Sequence, residues 1–464
     1  MLLCIVRLLI RMSFVVIKIV FNILSKQKPI FVVEMHWLCK CVIGLAVLAT
    51  TTWSASLPSV TQKCVPPGPG LSLNDFLSGK FYLFERQQEF SIKLLQTAVT
   101  ASPKQNLIFS PHSIYTALLI TYFLSNNETE ETLKRFLNLP PEQSKLSVMQ
   151  AYRMEKLFHS MRVLNTSADY DFSSVDRLFV SKRLPIQKCV AEVFKDEVHK
   201  MDFVVDPELA RMYINNWVTN QTNQEIKDLL PEGKISYETR LVLANAAYFK
   251  GFWSSKFSSE STKDEVFYTS PTENAYVPMM WQSGVFNLLS SDELGAHVLE
   301  LPYKGGDISL FVILPPFNKQ RGISQLSKRL NTNILQNIVS SGEWTTRPVE
   351  VSLPKFNVEQ SMDNLVPILE QMGIGNLFKG NVDLSALTGN ANDVTIDDAV
   401  HKAKISVDEE GTIAAAATAF IMSRSSRPVE PFKFRCNHPF IYFIFDKVTG
   451  SVLFMGVYNS PKSN

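Results

Sequence analysis

Cysteine is scarce in this sequence, with six residues among 464. Three of the six fall within the first 41 residues, and the others are Cys64, Cys189 and Cys436, each more than a hundred residues from the next. A protein held together by disulfides has an even set of cysteines at short spacings. A disulfide scaffold is therefore excluded, and at most one bridge is expected among the last three.

Catalytic motifs are absent as well. The sequence has no G-x-S-x-G elbow, no H-E-x-x-H helix, no P-loop and no Rossmann glycine fingerprint. Its seven histidines are far apart, so no pair has the local spacing of metal ligands. We therefore expect no enzyme, no metal and no cofactor; a catalytic triad assembled from distant residues is the alternative.

Dense basic clusters, which bind nucleic acid, are also missing. Of 46 Lys and Arg and 44 Asp and Glu, six bases and one acid precede residue 57, so the rest carries 40 bases and 43 acids. A mildly acidic chain of this kind lacks the basic surface that binds nucleic acid. The small cluster of Lys182, Arg183 and Lys188 is more typical of a solvated surface than of a heparin site.

Two apolar segments begin the chain. After Met35, a basic Lys40, an apolar run at 41–49 and the small residues at 54–56 form a secretory signal peptide, cleaved after residue 56. Residues 1–34 contain three basic residues in their apolar stretch, each costing on the order of 3 kcal/mol at the centre of a membrane span. We interpret them as an upstream extension, so translation starts at Met1 or Met35; an uncleaved membrane anchor is the alternative.

Three sequons fit export of the chain. Asn-x-Ser/Thr triplets are the acceptors of N-linked glycans in secreted proteins. They occur in this sequence at Asn127, Asn165 and Asn220. With the signal peptide, they predict a secreted, extracellular glycoprotein that has no membrane association.

The pattern of the remaining chain is mixed α+β. Residues 57–79 contain Pro and Gly without periodicity and predict an N-terminal arm, which leaves 80–461 as the folded domain. Helical spacing dominates its first half, and β-rich runs punctuated by Gly and Pro follow between 241 and 354. Two apolar runs around residues 447–450 predict a terminal β-hairpin.

From about Phe81 to Pro461 the chain resembles the serpin family, and within it the secreted arthropod serpins. The stretches that carry the resemblance are 106–118, 214–231, 241–257, 400–419 and 434–461. The resemblance implies one domain with three β-sheets, eight or nine helices and an exposed reactive-centre loop. It also implies an inhibitor, monomeric before reaction, whose partner is a trypsin-like serine protease, such as one of an extracellular immune cascade. A non-inhibitory carrier, storage protein or chaperone is the alternative.

The family inhibits by a change of conformation. A protease cleaves the loop and forms an acyl-enzyme, and the cut loop then enters the large sheet as a new central strand, which distorts the protease. The hinge residues that match are Glu409, Glu410, Gly411, Thr412, Ala414, Ala416 and Thr418. By strand alternation the last four face the interior, and all four are small and uncharged, as burial requires.

Two features of the hinge leave alternatives open. The run of alanines alone would favour a helix, because alanine has the highest helix propensity. Ile413 stands where the family commonly has an acid. Its side chain is expected to face outward and to be tolerated, which leaves the rate of insertion open.

The scissile bond implied by the resemblance is Arg424–Ser425 or Ser425–Ser426, depending on loop length. A trypsin-like S1 pocket carries an aspartate that pairs with arginine and gains almost nothing from serine. We therefore favour Arg424–Ser425. Cleavage before Pro428 is not expected, since proline after the scissile bond blocks most such proteases.

Four polar residues match the family's shutter, a hydrogen-bonded cluster beneath the central strands. They are Ser110, Ser113, Asn245 and His401. Each could equally be a satisfied polar residue of the core. Loss of one partner is expected to cost about 1 to 3 kcal/mol and to promote premature opening of the sheet.

Overall fold

The computed structural model describes residues 73–166, 170–317, 322–340, 344–362, 365–380, 382–390, 394, 396–410 and 430–461. Several predictions lie outside these residues: the upstream extension, the signal peptide, the hinge from Gly411 to Thr418 and the reactive bonds of Arg424, Ser425 and Ser426. They stay predictions.

Eleven α-helices lie within the described ranges. They are α1 (Leu73–Ala101), α2 (Pro111–Leu124), α3 (Asn127–Phe136), α4 (Lys145–Thr166), α5 (Lys188–Val193), α6 (Pro207–Gln221), α7 (Ile323–Arg329), α8 (Thr332–Val339), α9 (Leu365–Leu369), α10 (Asn376–Lys379) and α11 (Ser385–Thr388). Without the two four-residue turns α10 and α11, nine remain, in agreement with the expected number. Over this part of the chain, no helix combines the length and the apolar character needed to cross a bilayer.

Helix α1 begins earlier than the sequence indicated. It starts at Leu73, so the boundary predicted at residues 79/80 falls inside a helix. The VPPGPG stretch and the absence of periodicity in residues 57–79 suggested an irregular arm, and Gly79 nevertheless lies inside the helix. A glycine in a helix interior costs only about 1 kcal/mol relative to alanine, and a helix of 29 residues tolerates that cost.

Fourteen β-strands alternate with the helices in the described part of the chain. They are β1 (Leu107–Phe109), β2 (Tyr170–Ser181), β3 (Val198–Met201), β4 (Leu241–Gly251), β5 (Lys263–Tyr268), β6 (Asn274–Ser291), β7 (Ala296–Pro302), β8 (Ile308–Leu314), β9 (Thr345–Pro354), β10 (Phe356–Met362), β11 (Asp398–Val407), β12 (Phe432–Arg435), β13 (Phe440–Asp446) and β14 (Ser451–Tyr458). The α+β class predicted from the sequence is confirmed.

The strands form two hydrogen-bonded networks. One is a five-stranded sheet in the order β10-β11-β4-β2-β3. The other has nine strands, in the order β1-β14-β13-β8-β7-β6-β9-β12, with β5 paired to β6. The 18-residue β6 pairs with β5 near its start, with β7 near its end and with β9 between, so it joins two of the expected three sheets into one network.

The predicted terminal hairpin is present. Strands β13 and β14 are buried along their whole length and pair antiparallel. The chain reverses between them through Gly450, whose φ of +74° favours glycine, and the Gly450 N–H donates to the Asp446 carbonyl at 2.8 Å. Side chains of the hairpin share one buried apolar cluster with those of β4 and β11, so the hairpin packs against the five-stranded sheet.

Helix α2 lies between the two sheets. Ser110 caps its N-terminus and Pro111 opens its first turn, a combination that starts helices well. Twelve of its 14 residues are buried, and it packs against β14, β2 and β4. The first turn of α2 therefore lies where both sheets meet, directly under the central strands.

Candidate functional site

The seam, defined here as the contact between β4 and β11, is the centre of the five-stranded sheet. The two strands run parallel and pair directly from Val242–Asp398 to Lys250–Ser406. Strand β4 is an almost continuous apolar run, as expected for a strand covered on both faces. Strand β11 ends at Val407, so the predicted hinge at 409–418 follows it directly in the chain.

The structure brings the four predicted shutter residues together across this seam. His401 of β11 and Asn245 of β4 are register partners, and the His401 Nδ1–H donates to the Asn245 Oδ1. The His401 Nε2 accepts from the Ser110 N–H at 3.0 Å. Burial lowers the pKa of His401 to about 3, so the imidazole is neutral, as one donating and one accepting nitrogen require.

Asp176 completes the cluster, and sequence reasoning missed it. Its Oδ1 accepts from the Asn245 amide and from the Ser113 hydroxyl, the latter at 2.6 Å. Its Oδ2 accepts from the Ser174 hydroxyl at 3.1 Å. Strand alternation could have identified it: Asp176 shares a face of β2 with the buried Phe172 and Leu178, so its carboxyl group also faces the interior.

The cluster is also attached to the nine-stranded sheet. The Ser110 hydroxyl donates to the Leu453 carbonyl of β14 at 2.7 Å and accepts from the Ser113 N–H at 3.2 Å. The shutter residues are fully buried, whereas Asp176 is partly buried. One polar network therefore connects β11, β4, β2, α2 and β14.

The base of the hinge is held by ionic contacts at the end of the seam. The Glu409 carboxylate accepts from the Lys355 Nζ at 2.6 Å and from the Thr262 hydroxyl at 2.8 Å. Burial opposes ionisation of Glu409, but these two hydrogen bonds outweigh it and lower the pKa. Glu410, in contrast, is exposed and lies 3.6 Å from the Lys250 Nζ.

Two stacked aromatic side chains, Trp253 and Tyr303, lie under the same end of the seam and are called the aromatic floor here. The Trp253 Nε1–H donates to the Asp408 carbonyl at 2.8 Å, which joins the end of β11 to the chain after β4. Tyr303 stacks on Trp253 with ring centroids 4.5 Å apart. Glycine is required at position 251, since a Cβ there would lie 2.3 Å from the Tyr303 ring.

Two of the predicted glycan acceptors have described side chains, and both are exposed. The Asn127 amide donates to Asp383 at 2.7 Å, and the Asn220 Oδ1 accepts from Gln224 at 3.0 Å. Asn165 lies in α4. Glycosylation at the three positions stays a prediction.

The two cysteines of the described ranges differ in state. Cys189 at the start of α5 is disulfide-bonded. Cys436 is free and fully buried, and burial raises the pKa of its thiol far above the ordinary value. Cys436 is therefore an inert core residue and not a nucleophile.

The mixed α+β fold, the parallel seam at the centre of its five-stranded sheet and the buried polar network across that seam together define the class of this protein. A family model described as serpin (serine protease inhibitor) matches residues 85–461. The chain belongs to the serpin family, and protease inhibition is the role that this membership supports.

Individual relatives agree with this assignment. Serine protease inhibitor 88Ea of Drosophila melanogaster is 40% identical over 418 residues, which cover 86% of this chain and 94% of the relative. Human Serpin B3 is 36% identical over 394 residues, which cover 82% and 99%. The Drosophila relative is consistent with the resemblance to arthropod serpins.

Solved structures of the family have the same fold. Uncleaved ovalbumin superposes with a TM-score of 0.70 at 28% identity and covers 82% of this chain and all of its own. Maspin gives 0.72 at 23% identity, covering 83% and 100%, and supports the fold alone.

Proposed function

We propose that this chain is a secreted inhibitor that traps a trypsin-like serine protease by inserting its cleaved loop into the seam. The observation that carries the proposal is the direct parallel pairing of β4 and β11. No strand separates them in the part of the chain that the structure describes, and the predicted loop follows β11 without an intervening element.

The strand directions favour insertion. A segment that follows β11 and folds back into the sheet runs antiparallel to β11. Because β4 is parallel to β11, the same segment is antiparallel to β4 as well. One parallel pairing would therefore be exchanged for two antiparallel pairings, which are slightly more stable per residue.

The energy of insertion can be bounded. Each new backbone hydrogen bond contributes about 0.5 to 1.5 kcal/mol net, and about fifteen inserted residues would gain bonds on both edges. Ordering those residues costs about 1 to 2 kcal/mol each, which removes much of the gain. The residues that enter must therefore be small and free of unpaired charge, as Thr412, Ala414, Ala416 and Thr418 are.

Specificity follows from the predicted reactive bond. Arg424 suits the acidic S1 pocket of a trypsin-like protease, whereas cleavage at Ser425–Ser426 would favour a protease with a small pocket. The signal peptide and the sequons support an extracellular target.

The test is to mix the secreted protein with trypsin and to separate the products on a denaturing gel. We expect a covalent complex that survives denaturation and a released C-terminal peptide. Its mass identifies the bond, since the peptide begins at Ser425 for cleavage after Arg424 and at Ser426 otherwise. Arg424→Ala should abolish the complex, whereas Arg427→Ala, the matched control, should keep it.

A clipped protein without any complex would contradict the inhibitory mechanism. That outcome would instead support a non-inhibitory role, which the similarity to uncleaved ovalbumin favours as the second candidate. A complex that forms with Arg424→Ala would show that the reactive bond lies elsewhere.

A further inference from the structure

Asp176 combines two properties that the proposed mechanism leaves unused. It accepts hydrogen bonds at one end of the shutter, and it lines a partly open cavity of about 410 Å³ bordered by α2, α4, α6 and β2. The cavity brings water close to a carboxyl group that is otherwise surrounded by protein. Asp176 therefore lies at the boundary between the buried seam and solvent.

The hydrogen bonds of the shutter run in one direction and end at this carboxyl. The Ser110 N–H donates to His401, His401 donates to Asn245, and Asn245 donates to Asp176. Ser113 donates to Asp176 as well. The protonation state of Asp176 therefore acts on the bond between His401 and Asn245, which crosses the seam.

Charged and titratable groups face Asp176 from each neighbouring element. Helix α6 contributes only the uncharged Trp217 and Gln221 to the cavity. The groups from α2, α4, β2, the turn before β3, and β11 are His112, Tyr152, Glu155, Lys156, His159, Arg177, Asp196, Glu197 and His401. Lys156 and Glu197, the two that act on Asp176 at longer range, form a salt bridge with each other.

The imidazoles of this set stay neutral around pH 7. Burial lowers the pKa of His112 to about 4 and that of His401 to about 3. Burial, together with the charge of Arg162, lowers the pKa of His159. Proton exchange by His112 and His401 therefore lies well below pH 6, and the pKa of His159 lies below its ordinary value.

Asp176 behaves differently. Burial raises its pKa to about 7, although the hydrogen bonds from Ser113 and Ser174 oppose the rise. Its pKa in the folded protein is thus above the ordinary value. Protonation stabilises the closed sheet relative to any state in which water reaches the carboxylate, and this stabilisation is lost as the pH rises through about 7.

We propose that opening of the seam is coupled to release of a proton from Asp176. Strand β2 pairs with β4 from Tyr170–Gly251 to Val180–Leu241, so the two strands move together when β4 leaves β11. Helix α2 stays bound to β14 through Ser110 and Leu453. The movement separates Asp176 from Ser113 and draws cavity water onto the carboxylate. The inference rests on the proposed function, because insertion is what opens the seam.

The experiment measures the rate at which a synthetic peptide with the sequence of residues 412–423 enters the sheet, followed on native gels from pH 5.5 to 8.5. We expect the rate to rise by up to about tenfold between pH 6 and pH 8. This is the change expected if the pKa of Asp176 is about 7 in the closed sheet and about 4 when the carboxylate is hydrated. Asp176→Asn should abolish this dependence. Asp171→Asn, on the same strand and bonded to Asn223, should retain it.

A second variant keeps the inference testable if Asp176→Asn folds poorly. Ser174→Ala removes one donor to the carboxylate and should move the midpoint of the pH profile upward. An unchanged midpoint would contradict the inference. A peptide that enters at a rate independent of pH would overturn it and leave the proposed function intact. Failure of the peptide to enter at every pH would overturn the inference, and the trypsin gel would separately decide the proposed function.

Discussion

Asn245 is the residue on which the closed seam depends most directly. Its side chain accepts from His401 on one side and donates to Asp176 on the other, so it joins three neighbouring strands. All of these contacts are made away from bulk water, where a polar group without a partner is costly. A change at this position therefore acts on the sheet as a whole.

Asn245→Ala leaves His401 and Asp176 without a shared partner. We expect a loss of about 1 to 3 kcal/mol in the free energy of unfolding, because His401 stays fully buried and Asp176 partly buried. Polymers should also form at a lower temperature, since the seam opens more easily. Thermal unfolding and native gels after mild heating measure the two effects. Asn333→Ala, at an exposed position of helix α8, is the control; equal effects of the two substitutions would argue against a shutter.

Glu409 shows how a single ion pair holds the hinge. Glu409→Gln removes the charge that Lys355 neutralises at 2.6 Å, in a site where the Glu409 side chain is only 11% exposed. We expect the hinge to detach more readily and the synthetic peptide to enter faster. Glu410→Gln is the matched control, because that side chain is 75% exposed and gains little from its neighbour Lys250. Faster entry with the control alone would contradict this assignment.

At the scale of elements, the close approach of β4 to the aromatic floor is the feature most sensitive to added volume. Gly251 ends β4, and the Tyr303 ring leaves no space for a Cβ. The ring cannot withdraw easily, since it stacks on Trp253 and is itself only 1% exposed. The end of the seam is therefore packed to its limit.

Gly251→Ala should destabilise the closed protein by about 1 to 3 kcal/mol, the usual cost of overpacking a core. The measurement is the denaturation midpoint in urea. Gly380→Ala provides the comparison, because a Cβ at that position meets its nearest atom at an ordinary 3.9 Å. Similar midpoints for both variants would mean that the Tyr303 ring moves aside without loss of stability.

For the whole molecule, the proposed mechanism requires a more stable state that forms only after cleavage. The closed sheet has five strands, and the inserted sheet would have six. The added backbone hydrogen bonds would form along both edges of the new strand, so the gain in stability would not come from any single contact.

Thr412→Arg tests this property. Arginine at an inward position would be buried without a partner, so the first step of insertion fails. We expect trypsin to cleave the variant without forming a covalent complex. We also expect cleavage to raise the melting temperature of the wild type but not that of the variant. Ile413→Arg, at a position expected to face outward, should retain both. A full covalent complex with Thr412→Arg would refute the insertion mechanism.

Local pattern and family resemblance predicted much of this protein. The two apolar runs around residues 447–450 were enough to predict the hairpin, because its turn and both of its strands are adjacent in the chain. Motifs in family order led to Ser110, Ser113, Asn245 and His401. The boundary predicted at residues 79/80 falls inside α1, because Pro, Gly and weak periodicity are poor indicators of where a long helix begins.

The sequence by itself determined the α+β class, the membership of the family and the four matched shutter residues, because these follow from local periodicity and from recognisable motifs. Only the tertiary structure decided that Asp176 completes the cluster, that Glu409 is held by Lys355 and that β6 joins two sheets. These contacts depend on strand register between segments far apart in the chain: Asp176 and Asn245 are separated by 69 residues and meet because β2 and β4 pair in one register.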